Sequence, residues 1–161
     1  MILVTVGMQL GFDRLVRAMD ELAPALQLPV YAQVGKGAYI PKNMEYSERI
    51  EAGAFDDLIA RTSLIVSHAG IGTVLTAQRM DKPILLFPRR AALGEHRNDH
   101  QMATVRELEN RPGIVVAYEA VDLAPAIARG LALEVGQQPP RPDRDRLREA
   151  VRGFIATGSL G

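Results

Sequence analysis

Cysteine is missing from all 161 residues, which removes disulfide frameworks, thiolate zinc sites and cysteine nucleophiles. An excess of either charge is missing as well, because 19 Lys and Arg balance 19 Asp and Glu. A chain without net charge is a poor candidate for general nucleic-acid binding, which needs a basic surface, although local patches stay open. No apolar run approaches the ~18 residues of a membrane span. The apolar stretch Met1–Gly7 has no basic region ahead of it and does not read as a signal peptide. Familiar catalytic signatures are also absent. There is no third glycine for a dinucleotide fingerprint, no Gly-Lys-Ser/Thr for a P-loop, and no Gly-x-Ser-x-Gly elbow around Ser67. With 47% apolar and 24% charged residues, the chain reads as one cytoplasmic globular domain with a core of its own.

What is present is an alternation of strands and helices. Ile2–Val6, Pro29–Val34, Leu64–Ser67, Ile84–Phe87 and Ile114–Ala117 are short runs rich in β-branched residues, the mark of strands buried on both faces. Asn43–Ser47 reads as a further short strand. Between them, apolar residues recur at helical spacing. They predict helices from Phe12 to Leu26, shortened by Pro24, from near Ala54, over Val74–Met80, over Asn98–Glu109 and over Val121–Leu133. The expectation is a doubly wound, Rossmann-like α/β domain with a parallel sheet of about six strands. Residues 1–135 form this domain, 136–142 (GQQPPRP) a proline-rich linker, and 143–161 an arginine-rich C-terminal helix, either solvated or docked on a partner. In such sheets ligands sit at the carboxyl ends of the strands. That directs attention to Gly7–Phe12, Ser67–Thr73 and Pro88–Gln101.

The strongest local pattern is strand–SHAGIGT–helix, Leu64 to Met80. Gly70 and Gly72 allow close backbone approach, the helix start offers free N–H groups and a positive dipole end, and Thr73 adds a hydroxyl. Together these make a diphosphate cradle, with His68 able to donate to a phosphate oxygen. The competing reading is a glycine turn that only fits a helix onto a sheet. In the second cluster, Arg89–Arg97 reads as a polar loop with a helix cap at Asn98 or Asp99. His96 and His100, four apart, could share a helix face and, with Glu95 or Asp99, hold a metal, but the pattern is not His-Glu-x-x-His. Asp99, His100 and Gln101 lie where a loop becomes a helix and suit hydroxyl-rich ligands. Asp13, Asp56 and Asp57 are read as carboxylates at helix starts, placed for capping rather than catalysis.

Three blocks occur in order: VTVGMQLGFDRLVRAMD (Val4–Asp20), SHAGIGTVLTAQRMDKPILLFPRR (Ser67–Arg90) and GEHRNDHQMA (Gly94–Ala103). With them, residues 1–135 resemble the donor-binding C-terminal half of family 28 glycosyltransferases, which have the GT-B fold. Stand-alone exopolysaccharide glycosyltransferase subunits of the PssE/EpsE type are similar, as is the small catalytic subunit of the eukaryotic dolichyl-diphosphate N-acetylglucosaminyltransferase. The resemblance implies a nucleotide-diphospho-sugar donor, a UDP-sugar, with no cofactor. Its phosphates would lie against His68, Gly70, Gly72 and Thr73, Gly7 would mark the loop approaching them, and His100 and Gln101 would meet the donor sugar. Uracil recognition would come from backbone near Ala52–Phe55. Thr76 stands where many relatives carry a ribose-holding Glu, and Gly7-Met8 stands for a frequent Gly-Thr.

The implied reaction is an inverting, metal-independent transfer to a lipid-linked saccharide in polysaccharide biosynthesis. The chain has the length of the donor half of a GT-B enzyme, so the acceptor site and general base are expected on a membrane-anchored partner. That partner would hold this chain at the inner face of the cytoplasmic membrane. Self-association is compatible with this reading. Two alternatives come from other classes: a non-catalytic nucleotide-sugar binding module, and a metal hydrolase using His96 and His100.

Overall fold

A computed structural model describes residues 1–133. Six strands form one parallel sheet: β1 (Ile2–Thr5), β2 (Val30–Gln33), β3 (Glu45–Ser47), β4 (Leu64–Ser67), β5 (Ile84–Leu86) and β6 (Ile114–Val116). Their order is β3-β2-β1-β4-β5-β6. The helices are α1 (Asp13–Leu22), α2 (Ala52–Ala60), α3 (Ile71–Arg79), α4 (His100–Leu108) and α5 (Leu123–Ala132). This is the doubly wound Rossmann-like arrangement read from the sequence, and its strand order reverses between β1 and β4. The linker 136–142 and the helix expected over 143–161 lie outside the described residues.

Period-two alternation sends each strand into two cores. Ile2, Val4, Leu64, Val66 and Leu85 pack with Phe12, Leu15 and Met19 at the start of and along α1, and with Leu123, Ala126 and Ile127 of α5. Leu3, Ile65, Ile84 and Leu86 pack against Leu58 and Ile59 of α2, Val74 and Ala77 of α3, and Val105 and Leu108 of α4. Both faces are covered, which is why the strands are continuous apolar runs.

Several boundaries differ from expectation. Helix α1 ends at Leu22, and Pro24 sits in a 3-10 turn, Ala23–Ala25, that its fixed φ accommodates. Helix α3 starts at Ile71 rather than Val74, with Gly70 as its N-cap, so Gly72 and Thr73 lie in the first helical turn. Helix α4 starts at His100, not Asn98, which leaves His96 in the preceding loop. The aspartates are not simple caps. Asp56 and Asp57 fall inside α2. Asp13 does open α1, but its carboxylate accepts the amides of Ala38 and Tyr39, each at 3.2 Å. It thereby holds the Gly35–Gly37 loop against the helix start.

Asp20 does the same for the excursion that leads into β3. Its buried carboxylate accepts the Tyr39 hydroxyl at 2.8 Å and the amides of Lys42 and Asn43 at 3.0 and 2.7 Å. Burial pushes its pKa up, but these hydrogen bonds outweigh it and hold the group below the ordinary value. The folded state therefore favours the carboxylate. Its stabilisation is complete above the unfolded aspartate value and is lost as pH falls through the lowered one. Asp20→Asn should cost about 2–3 kcal/mol at neutral pH, measured by chemical denaturation. The deficit relative to the parent should shrink as the medium is acidified.

Candidate functional site

The reversal of strand order between β1 and β4 leaves a crevice at their carboxyl ends. A cavity of about 390 Å³ opens there, lined by Thr5, Gly7, Met8, Gln33, Ile50, Phe55, His68, Gly70, Gly72, Thr73 and Thr76. A second, of about 280 Å³, adjoins it across Gly7, Met8 and His68 and reaches Gln9, Leu10, Arg89, His96 and Gln101. The crevice thus brings Gly7, His68, Gly70, Gly72, Thr73 and Thr76 together in one cavity and Gln101 into its neighbour. His100 is exposed and lines neither.

The glycines have distinct tasks. Gly7 has φ +81, and a Cβ there would come within 2.8 Å of the His68 ring. A Cβ on Gly70 would collide with Nε2 of the same ring. These two glycines therefore make the slot in which the imidazole stands. Gly72 is different, since a Cβ there would meet nothing within 4 Å. Its missing side chain leaves open the space above the first turn of α3, whose N–H groups have no partner within the helix.

His68 is partly buried, and Ser67 Oγ lies 3.3 Å from its Nδ1. Burial first, then the positive charge of Arg89, push its pKa down to about 4. At neutral pH it is an uncharged imidazole. The tautomer in which Ser67 donates to Nδ1 leaves an Nε2–H facing Gly70. Thr76 Oγ1 donates back to Gly72 O at 3.0 Å. Gln101 is buried, and its Oε1 accepts the amides of Ala69 at 3.2 Å and Arg89 at 3.0 Å. Its carbonyl end therefore ties the β4–α3 loop to the β5–α4 loop, and its amide nitrogen has no hydrogen-bond partner among the described residues.

Arg89 is the exception within 89–97, which is otherwise the polar loop expected. Its guanidinium is buried under the first loop and donates to Val6 O at 2.7 Å, to Leu10 O at 3.0 Å and to Gly11 O, while facing the Phe12 ring at 4.6 Å. Burial lowers its pKa and the Glu95 charge raises it. Glu95 pairs in turn with Arg14 through both oxygens, at 2.6 and 2.9 Å, and accepts the Arg90 amide at 2.9 Å. The signal in the chain was position: Arg89 follows a buried strand by three residues, at its carboxyl end. Gln33 was also missed. It accepts the Thr5 hydroxyl at 2.8 Å and donates to Gly7 O at 3.1 Å and Glu48 O at 3.0 Å.

The metal reading of the second cluster does not hold in the geometry, and the cap is divided between two residues: Asp99 is the N-cap residue of α4, while Asn98 Oδ1 accepts the His100 amide at 3.3 Å. The Asp99 carboxylate itself accepts the Ala91 amide at 2.9 Å rather than an amide of α4. His96 and His100 share no helix face, because only His100 is helical. Among the described residues, no three His, Asp or Glu side chains gather in one place. No helix among these residues is long and apolar enough to cross a membrane.

The family model described as the glycosyltransferase family 28 C-terminal domain matches residues 1–125. The chain belongs to that family. A glycotransferase of kitacinnamycin has a similar structure, at 16% identity and a TM-score of 0.61, covering 98% of this chain and 40% of that one. The NMR solution structure of ALG13 is similar at 15% identity and a TM-score of 0.58, covering 91% of this chain and 93% of that one. The glycosyltransferase SsfS6 from Streptomyces sp. SF2575, complexed with thymidine diphosphate, is similar at 17% identity and a TM-score of 0.52, covering 96% of this chain and 37% of that one. At these identities the likeness is one of fold: the family 28 chain has the fold of GT-B glycosyltransferase C-terminal domains, and it spans well under half the length of two of these structures.

Two outcomes follow from the geometry. The His68 ring should titrate near pH 4 by NMR, so stability should fall as pH drops from about 6.5 toward 4, where the unfolded chain takes up the proton first. A ring pKa at or above the ordinary value would contradict the slot. Arg89→Leu strands the Val6 and Leu10 carbonyls and should cost about 3 kcal/mol in denaturant melts.

Proposed function

We propose that the chain is the donor-binding catalytic subunit of an inverting glycosyltransferase that moves a sugar from a UDP-sugar to a lipid-linked saccharide. The observation that carries this reading is the cavity at the β1–β4 crevice. A neutral imidazole, an open glycine step and the amides of a helix start meet there on the carboxyl side of the sheet. A diphosphate suits that set. The helix start supplies N–H donors and a positive potential, and His68 adds a donor without needing to be charged. Family membership supports sugar transfer, and the thymidine diphosphate bound by SsfS6 supports a nucleoside diphosphate as the group retained.

In this reading the acceptor oxygen attacks the anomeric carbon, the bond to the β-phosphate oxygen breaks, and the nucleoside diphosphate leaves with the electron pair. The amides of Gly72 and Thr73 and the Nε2–H of His68 are oriented before reaction and stabilise the charge that develops on the leaving oxygen. Gln101 presents its amide nitrogen to the sugar in the adjoining cavity, and Gly7 lets the first loop approach the diphosphate. His100, exposed at the start of α4, would meet the sugar only through a rearrangement of its side chain. The acceptor's proton needs a base. His68 is a weak one with a pKa near 4, so we assign the base and the acceptor groove to a membrane-anchored partner subunit at the cytoplasmic membrane face.

UDP and UDP-sugars should raise the melting temperature of the isolated chain by mass action. Gly72→Val should leave the fold intact, since the space is open, and weaken binding by about tenfold or more by filling the cradle. With a UDP-sugar and a lipid-linked acceptor the chain alone should be inactive and gain activity with its partner. Binding without transfer under every pairing would favour a non-catalytic nucleotide-sugar module, and full activity of the isolated chain would sink the partner assignment.

A further inference from the structure

Ser67 ends β4, fully buried, and directly precedes the imidazole of the crevice in the chain. Among the described residues its hydroxyl has one hydrogen-bond partner, Nδ1 of His68 at 3.3 Å. The ring has a second polar neighbour. The Thr5 carbonyl, which accepts the His68 backbone amide at 3.4 Å, also faces the ring and favours its protonated form. Two groups therefore compete at Nδ1, the ring nitrogen nearer the main chain. Nε2 has no hydrogen-bond partner among the described residues. It is the ring atom that a Cβ on Gly70 would meet first, and His68 lines both cavities.

The two groups ask for different tautomers of the neutral ring. A carbonyl only accepts, so pairing with Thr5 requires Nδ1–H, whereas a hydroxyl can donate or accept. If Nδ1 kept the proton, Ser67 would accept from it, and the hydroxyl's own proton would have no acceptor among the described residues. A buried donor left in that state bears the full cost of its desolvation. If Ser67 donates to Nδ1, nothing is stranded, and the ring proton sits on Nε2, where solvent or a ligand can accept it. We infer that Ser67 is a positioning residue: its hydroxyl outcompetes the Thr5 carbonyl for Nδ1 and holds His68 as the Nε2–H tautomer, with a donor turned toward the crevice. The other tautomer would turn a lone pair there, which an anion repels. No charge has to move for this, which suits an imidazole kept neutral by burial and by Arg89. The tautomer is a property of the chain itself, while its consequence for binding rests on the diphosphate reading above.

The test is nitrogen NMR of the full chain, labelled in its histidine rings and studied at neutral pH, which separates a protonated ring nitrogen from a bare one. His68→Gln identifies the His68 signals among the three histidines. The parent ring should carry its proton on Nε2, in about tenfold or greater excess over Nδ1. Ser67→Ala removes one oxygen and adds no bulk. It should leave Nδ1 to the Thr5 carbonyl and turn the ratio in favour of Nδ1–H. Ser67→Thr keeps the hydroxyl on a residue that favours strands, and should restore the parent tautomer. In calorimetric titrations with UDP, Ser67→Ala should bind about tenfold more weakly than the parent, and Ser67→Thr close to it. A serine that only packed would not move the ring proton while the backbone amide spectrum stayed as in the parent. A parent ring protonated on Nδ1 would overturn the inference, and so would a ring that stays Nε2–H in Ser67→Ala. A switched tautomer with unchanged UDP affinity would break the link to binding. Failure of the parent to bind UDP would remove the donor-site reading, and the ring signals would still decide the tautomer and the role of Ser67 in setting it.

Discussion

The Arg89 guanidinium, buried beneath the carbonyls of the first loop, is the contact on which the rest of the site depends. The loop from Val6 to Gly11 leaves β1 at the point where the strand order reverses, and several of its carbonyls turn inward. A buried carbonyl without a donor costs about 1–3 kcal/mol, and one planar cation with fixed donors answers three of them at once. With the loop pinned, Gly7 can hold its positive φ and the imidazole of His68 has its slot. The same residue accepts support from the other side. Its backbone N–H goes to Gln101 Oε1, which also takes the Ala69 amide, so the loops after β1, β4 and β5 are tied to one another.

This arrangement has an electrostatic consequence. Arg89 is 2% exposed, and its direct partners are neutral carbonyls, while the nearest carboxylate, Glu95, is paired with Arg14. The positive charge is therefore incompletely screened inside the domain. It helps to keep His68 uncharged, and it adds to the positive potential at the start of α3. A crevice of that character favours an anion and suits an electrically neutral chain whose overall charge attracts none.

Much of the fold was readable because the strands are buried on both faces. Ile2–Thr5 and Leu64–Ser67 are apolar or small throughout, and helical spacing between such runs leaves few options besides a parallel doubly wound sheet. The Ser67–Thr73 wall of the crevice was readable too, since a strand followed by Gly-Ile-Gly-Thr marks a strand-to-helix turn. Helix starts were read too late at α3 and α2 and too early at α4. Gly and Asp near a helix start serve equally as cap, first turn or loop, and tertiary contacts choose between these. Asp13 shows the same ambiguity, while Asp20, in the last turn of α1, carried no signal of its role. Both were spent on amides brought to them from residues 38–43.

What the sequence alone determined was the layering of the domain, the end of the sheet at which the crevice opens, and the kinship with family 28 glycosyltransferases. Each depends on patterns local in the chain: strand periodicity, a strand–glycine–helix step, and three ordered blocks. Tertiary structure alone decided the rest. Only packing could bury Arg89 under a loop 79 residues away from it at Leu10, or make Gly7 and Gly70 the two walls of one imidazole slot. Only packing could occupy the carbonyl of Gln101 and leave its nitrogen free. These outcomes depend on desolvation and on pairing between distant groups, and neither is a property of any stretch of sequence by itself.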